Sequence, residues 1–223
     1  MKQSTQVTTV IALASVVLSS AWVPASAQGG VAVAGFETDG SVGLARADYD
    51  AMGRAMTVLL GTEIASRTGA TVMDIHSTGG IRMGRIDVTK ARAAAAQSGA
   101  KYLVVGTLLD QYGDLRVEAR LLNAATGDPV AVVRAKQGHT KRENLAEAAT
   151  DLAIGLGGRA ELGGARKAPD RGSISVEAMV SFGQGLRSEE AGDRDKAAES
   201  FRGALKLSPG LTEAATALRR VGG

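Results

Sequence analysis

Few side chains in this sequence are of a type and spacing that do chemistry. His76 and His139 are the two histidines, and they lie 63 positions apart. Neither sits in an H-x-x-x-H or similar spacing, which would put two imidazoles on one helix face around a metal. His76 precedes Ser77-Thr78-Gly79-Gly80 and His139 precedes Thr140, so loop and cap roles suit them better than ligand or base roles. Glu37, Asp39, Asp48 and Asp50 gather around one loop. Paired carboxylates can hold a cation or exchange protons. Here no nucleophile or base accompanies them, and acids at the start of a helix are what its N-terminal dipole favours. Arg82, Arg85, Lys90 and Arg92 spread over a loop and a helix. They suit acidic peptidoglycan or lipid headgroups, or simply a wetted helix face. No G-x-S-x-G elbow, P-loop or G-x-G-x-x-G occurs, and the partial pattern Gly183-Gln184-Gly185 falls on a predicted helix. With no cysteine there is no disulfide, thiolate metal site, cysteine nucleophile or lipid-modified cysteine anchor. The expectation is a protein that is not an enzyme, with no catalytic residue, no cofactor and no metal. A small-ligand hydrolase using the carboxylates between Glu37 and Asp50 is the minor alternative.

The elements that position these residues follow from patterning. Hydrophobic residues are 44% of the chain and aromatics only 3%, so aliphatic side chains and Met must build the core. Charges nearly balance, 26 basic against 23 acidic, without the basic stripe a nucleic-acid binder needs. Lys2, the mostly apolar run over residues 7–18 and Ala25-Ser26-Ala27 match a secretory signal peptide, residues 1–27, cleaved after Ala27. Val31-Ala32-Val33-Ala34-Gly35-Phe36 reads as a buried strand. A helix over 48–67, a strand over 70–75, a helix over 87–98 and a central strand over 101–106 follow. Gly113-Asp114 and Thr126-Gly127-Asp128 are the turns of two hairpins, and Arg116, Glu118 and Arg120 alternate with Val117, Ala119 and Leu121 on a half-wet strand. Thr140 and Glu143 have capping-box spacing for a third helix that ends at Gly157-Gly158.

This order predicts an α/β (α+β) fold, a mixed sheet covered by helices over residues 31–158. Residues 159–172, rich in Gly and charge, read as a flexible linker. Residues 173–223 are helical throughout.

Two stretches resemble known families. Residues 178–211 look like one tetratricopeptide (TPR) repeat, with Gly185, Gly192, Asp193, Ala197, Phe201, Ala204 and Pro209 in the 34-residue frame. In that frame Gly185 and Ala197 let two helices approach, Phe201 fills their interface and Pro209 ends the second. Ser181 and Ser188 depart from it, standing where bulky aromatics are usual. The resemblance implies a TPR-like hairpin plus one more helix, docked on the α/β domain or on another chain. It also offers Arg187, Glu190 and Arg194 as residues that set partner choice. The second resemblance is to CsgG-type and TolB-N-terminal-like envelope domains. It rests on Val31-Ala32-Val33-Ala34-Gly35-Phe36-Glu37, on Ala100-Lys101-Tyr102-Leu103-Val104-Val105-Gly106-Thr107, and on the run Arg116-Val117-Glu118-Ala119-Arg120-Leu121-Leu122-Asn123-Ala124-Ala125-Thr126-Gly127. It implies a periplasmic, non-enzymatic protein-binding adaptor or assembly factor for a secretion, surface-fibre or cell-envelope machine, bound to envelope proteins of unknown identity. Peripheral outer-membrane or peptidoglycan contact and assembly as a homo-oligomeric CsgG-like ring stay open. The chain lacks the long amphipathic hairpins of the curli-secretion channel, so no pore is expected.

Overall fold

The computed structural model describes residues 29–40, 43–82, 84–112, 114–135, 140–160, 162 and 172–222, without the side chain of Arg82. The expected signal peptide, His139 and most of the expected linker lie outside them. Strand β1 (Gly30–Asp39) is buried on both faces, as its unbroken apolar run requires. Val31, Val33 and Phe36 face one core, and Ala32 and Ala34 the other. Strict alternation would put Phe36 with the alanines. A bulge restores it to the valine side: pairing with the neighbouring strand slips between Val33 and Gly35, and Gly35 takes a φ of +140°.

Helix α1 (Arg46–Thr68) leads to β2 (Val72–Asp74), which pairs parallel to β1. A small hairpin, β3 (Ile81–Arg82) and β4 (Arg85–Ile86), precedes helix α2 (Val88–Gln97). The Asp87 side chain caps α2 by accepting from the Lys90 N–H at 3.1 Å. Strand β5 (Ala100–Gln111) lies parallel to β1 on the side opposite β2. The chain therefore leaves β1 toward one side through α1 and returns across it through α2. Right-handed crossovers in opposite directions put α1 and α2 on opposite faces. Strands β6 (Asp114–Asn123) and β7 (Pro129–Arg134) continue the sheet antiparallel, giving the order β2-β1-β5-β6-β7. This is the mixed, helix-covered sheet that the patterning predicts.

Three details differ from expectation. Gln111 pairs with Asp114, so the first hairpin turns one residue early and Tyr112 stands at its tip with φ +59°. Thr140 does not cap a helix. Thr140–Lys141 form β8, which pairs with the start of β6, and a 3-10 turn (Arg142–Asn144) intervenes before α3 (Leu145–Arg159). Sheet hydrogen bonding takes the backbone groups that a capping box needs. Helix α3 also runs through Gly157-Gly158, because Leu152, Ala153 and Leu156 hold that turn in the core.

Helices α4 (Val176–Glu190), α5 (Arg194–Leu207) and α6 (Thr212–Gly222) complete the described chain. Ser175 and Asp193 cap α4 and α5 through 3.1 Å hydrogen bonds from the N–H groups of Ala178 and Lys196. Residues two apart on a helix point about 200° from each other. Gly183 and Gly185 thus serve opposite faces of α4. A Cβ on Gly183 would lie 1.8 Å from the Ala51 carbonyl oxygen of α1, and one on Gly185 would lie 2.5 Å from the Phe201 ring of α5. Helix α4 is wedged between the two. Phe182, Met179 and Leu186 join the core that α1, α3 and the sheet share.

Candidate functional site

A cleft of about 190 Å³ opens at the carboxyl ends of β1 and β2. Its floor is Phe36 and Thr38 of β1, and its sides are Asp50 and Arg54 of α1, His76 after β2, Ile81 and Gly84 of the β3–β4 hairpin, and Arg187 of α4. The bulge at Gly35 lies beneath it. A Cβ there would press on the Ile81 side chain at 2.7 Å and the His76 ring at 3.1 Å.

Arg54 is the central charge. Its side chain is only 8% exposed, in a third turn of α1 that α4 covers. Nη2 meets Asp74 Oδ2 at 2.7 Å, and Nε donates to Glu190 Oε1 at 2.7 Å. Nη1 is buried and has no hydrogen-bond partner among the described residues. His76 Nδ1 stands 3.4 Å from the same Glu190 oxygen and forms no hydrogen bond of good geometry there. Burial pushes the Glu190 carboxyl up, but His76 and the Arg54 guanidinium outweigh it and hold the group below its ordinary value. On the other side the Thr38 hydroxyl donates to Asp50 Oδ1 at 2.6 Å, and Arg46 Nε pairs with that oxygen at 3.0 Å.

A second, more open depression of about 480 Å³ runs between α4 and α5, lined by Gln184, Arg187, Ser188, Ala191, Asp193, Lys196 and Ser200. Arg187 borders both hollows.

The residues singled out by sequence fall as follows. Arg187 is exposed and donates from Nη1 to the Ala47 carbonyl of α1 at 3.0 Å. Glu190 is exposed at the end of α4 and directs one carboxylate oxygen to Arg54 and His76. Arg194 is exposed, with Nη2 3.5 Å from the Arg220 carbonyl of α6. Gly185, Ala197, Phe201 and Ala204 form the α4–α5 contact, with Gly192 in the turn and Pro209 between α5 and α6. The four carboxylates do not converge. Glu37 accepts from the Ile86 N–H, Asp39 from the Gly40 N–H and Asp48 from Gln184, while Asp50 holds Thr38. No group of acids and histidines among the described residues is arranged to hold a metal. The basic stretch is also dispersed: Arg92 reaches the Ala125 carbonyl, and Lys90 leans toward Asp87. His76 lies in the turn after β2, as a loop residue, and lines the cleft.

Sequence reasoning missed Arg54 and Asp74, and it noted Gly183 without its close approach to Ala51 of α1. The available signal was Arg54 itself, the one charge in the ten-residue run Ala51-Met52-Gly53-Arg54-Ala55-Met56-Thr57-Val58-Leu59-Leu60. A lone charge in an apolar helix must find a partner.

No protein-family model matches the chain, and no curated protein matches it. Solved structures similar to parts of it include the C-terminal domain of LpoB from Salmonella enterica, at 15% identity, covering 51% of this chain and 83% of that one with a TM-score of 0.38. The PelC dodecamer from Paraburkholderia phytofirmans is 16% identical, covering 62% and 89%, with a TM-score of 0.37. TolB from Acinetobacter baumannii is 13% identical, covering 57% and 27%, with a TM-score of 0.36. Scores and identities this low assign no function.

Proposed function

We propose that this chain is an exported, non-enzymatic protein of the bacterial cell envelope that binds another protein through the α4–α5 groove. The observation that carries the proposal is the groove itself. Helix α4 is consumed on one face by α1 and on another by α5, yet Gln184, Ser188, Lys196 and Ser200 line an accessible channel between α4 and α5. Arg187 and Lys196 outnumber Asp193 in its lining, which favours a partner segment with an acidic side. The N-terminal export pattern and the TPR-like frame support the same reading. In this scheme Arg187, Glu190 and Arg194 contribute to partner choice, and the assembly served is a secretion, surface-fibre or cell-envelope machine.

Photo-crosslinking in cells tests this. Probes at Ser188 and Ser200 are expected to trap one discrete envelope protein, and a probe at Glu147 on α3 is not. Equal or absent adducts at all three positions overturn the proposal.

A second reading, a homo-oligomer, has its own observation. Edge strand β7 pairs only with β6 among the described strands and exposes Val130 at 42% and Val132 at 49%. An open, apolar sheet edge is a template for another strand. Light scattering over a concentration series decides it: a constant monomer mass removes this reading.

A further inference from the structure

We propose that two copies of this chain pair through β7, strand to strand and antiparallel, about a two-fold axis at Ala131. This rests on the homo-oligomer reading and goes beyond it by naming the residues that meet. The backbone supplies the first argument. The Ala135 N–H donates to the Val117 carbonyl of β6 at 3.1 Å. Alternation along an antiparallel strand then turns the N–H and C=O groups of Val130, Val132 and Arg134 away from β6. Among the described strands none pairs with that side of β7. Such an edge is a row of donors and acceptors that a second strand satisfies.

The side chains of β7 supply the second. A Cβ on Gly155 would lie 2.4 Å from Val133, so α3 sits on the face of Val133. Val130 and Val132 point to the other face and are exposed there. Charges commonly guard an open edge, yet Val130-Ala131-Val132-Val133 carries none.

The third argument is that the strand fits its own reverse. With Ala131 on the axis, Val130 lies opposite Val132 of the second copy, and Arg134 lies opposite Asp128 of the second copy. Asp128 is exposed, and so is Arg134, although its Nε also meets Glu118 at 2.8 Å. Pairs of unlike charge across a strand boundary stabilise a sheet, and apolar pairs keep valines from water. Moving the axis to Val132 would set Arg134 against Val130 and lose both matches. Pattern and charge thus select one register, and a copy of this chain is the strand that supplies it.

The chain has no cysteine, so introduced thiols report alone. Val130→Cys and Val132→Cys proteins are purified, then oxidised mildly, each alone and as a mixture. Opposed residues of a hydrogen-bonded antiparallel pair have Cα atoms about 5.5 Å apart, within reach of a disulfide. Diagonal neighbours are about 7 Å apart or more. The mixture is expected to yield the 130–132 cross-linked dimer, with little product from either protein alone. Light scattering of Val132→Lys, an exposed change, is expected to give the monomer mass at a concentration where the unmodified protein is a dimer. A dimer that links through Val132→Cys alone, or that Val132→Lys leaves intact, overturns this contact while the homo-oligomer reading stands. A constant monomer mass for the unmodified protein removes both.

Discussion

Arg54 engages two carboxylates with two of its nitrogens, and those carboxylates come from distant parts of the sequence, Asp74 at the end of β2 and Glu190 at the end of α4. A buried charge held this way is costly to strand. Replacing Glu190 by Gln is expected to lower stability by about 2 kcal/mol at neutral pH, the usual worth of a hydrogen bond to a charged group. Folding depresses the Glu190 pKa, so the folded chain binds fewer protons there than the unfolded chain does. Its contribution is full above the ordinary carboxylate value of 4.5 and is lost as pH falls through the lowered one. Urea melts should show the gap between wild type and Glu190→Gln narrowing from pH 7 to pH 3; an equal gap at both contradicts the linkage. Tyr49 behaves in the opposite sense. Its hydroxyl is buried and donates to the Leu108 carbonyl at 2.9 Å. Burial, then the Asp110 charge, pushes the phenol above its ordinary value of 10.0. The stability this group supplies is present below pH 10.0 and drains away above it. Tyr49→Phe should cost about 1 kcal/mol at pH 7 through the lost hydrogen bond, and the two proteins should converge in alkaline melts.

Helix α4 depends on having no side chain where it crosses α1. A methyl group at Gly183 would meet the Ala51 carbonyl at 1.8 Å, and neither backbone can yield without moving a whole helix. Gly183→Ala should cost about 1–3 kcal/mol, the range for overpacking. Hydrogen exchange should show the loss throughout the shared core, in β1 and β5 as well as in α4, α5 and α6. Gly192→Ala is the contrast. Nothing lies within 4 Å of its Cβ, and only the left-handed φ of +82° resists the change, about 1 kcal/mol. Equal effects at the two glycines speak against a tight α1–α4 crossing. The elements themselves were largely legible, since β1, α1, α2, β5 and β6 follow from apolar period and Gly stops. What escaped was decided by partners distant in sequence. Thr140 has the chemistry of a cap, but Leu115 of β6 recruits it as a strand. Likewise Gly157-Gly158 has the chemistry of a stop but stays helical under core packing.

At the scale of the molecule one apolar core runs from β1 through α1 and α3 into α4, α5 and α6. Sequence alone divides the chain at residues 159–172, because that stretch is charged and rich in Gly. Composition there does not reveal that Ala160 and Leu162 within it, and Ile174 just beyond it, are buried with the rest. The cleft was hidden for the same reason: it takes Arg54 from one helix, Glu190 from another 136 positions away and His76 from a turn, and no local spacing encodes that meeting. A shared core has a thermodynamic consequence. If α4–α6 melted separately, the face of α1 around Ala51 would be left in water, so the two parts should lose structure together. Calorimetry should therefore give one transition whose calorimetric and van't Hoff enthalpies agree. A chain ending at residue 162 should bind an apolar dye and aggregate, since among the described residues only α4 covers the face of α1 around Ala51. Two resolved transitions, or a soluble truncated chain that ignores the dye, would show that the helical tail is a separate body resting on the sheet domain and not a part of its core.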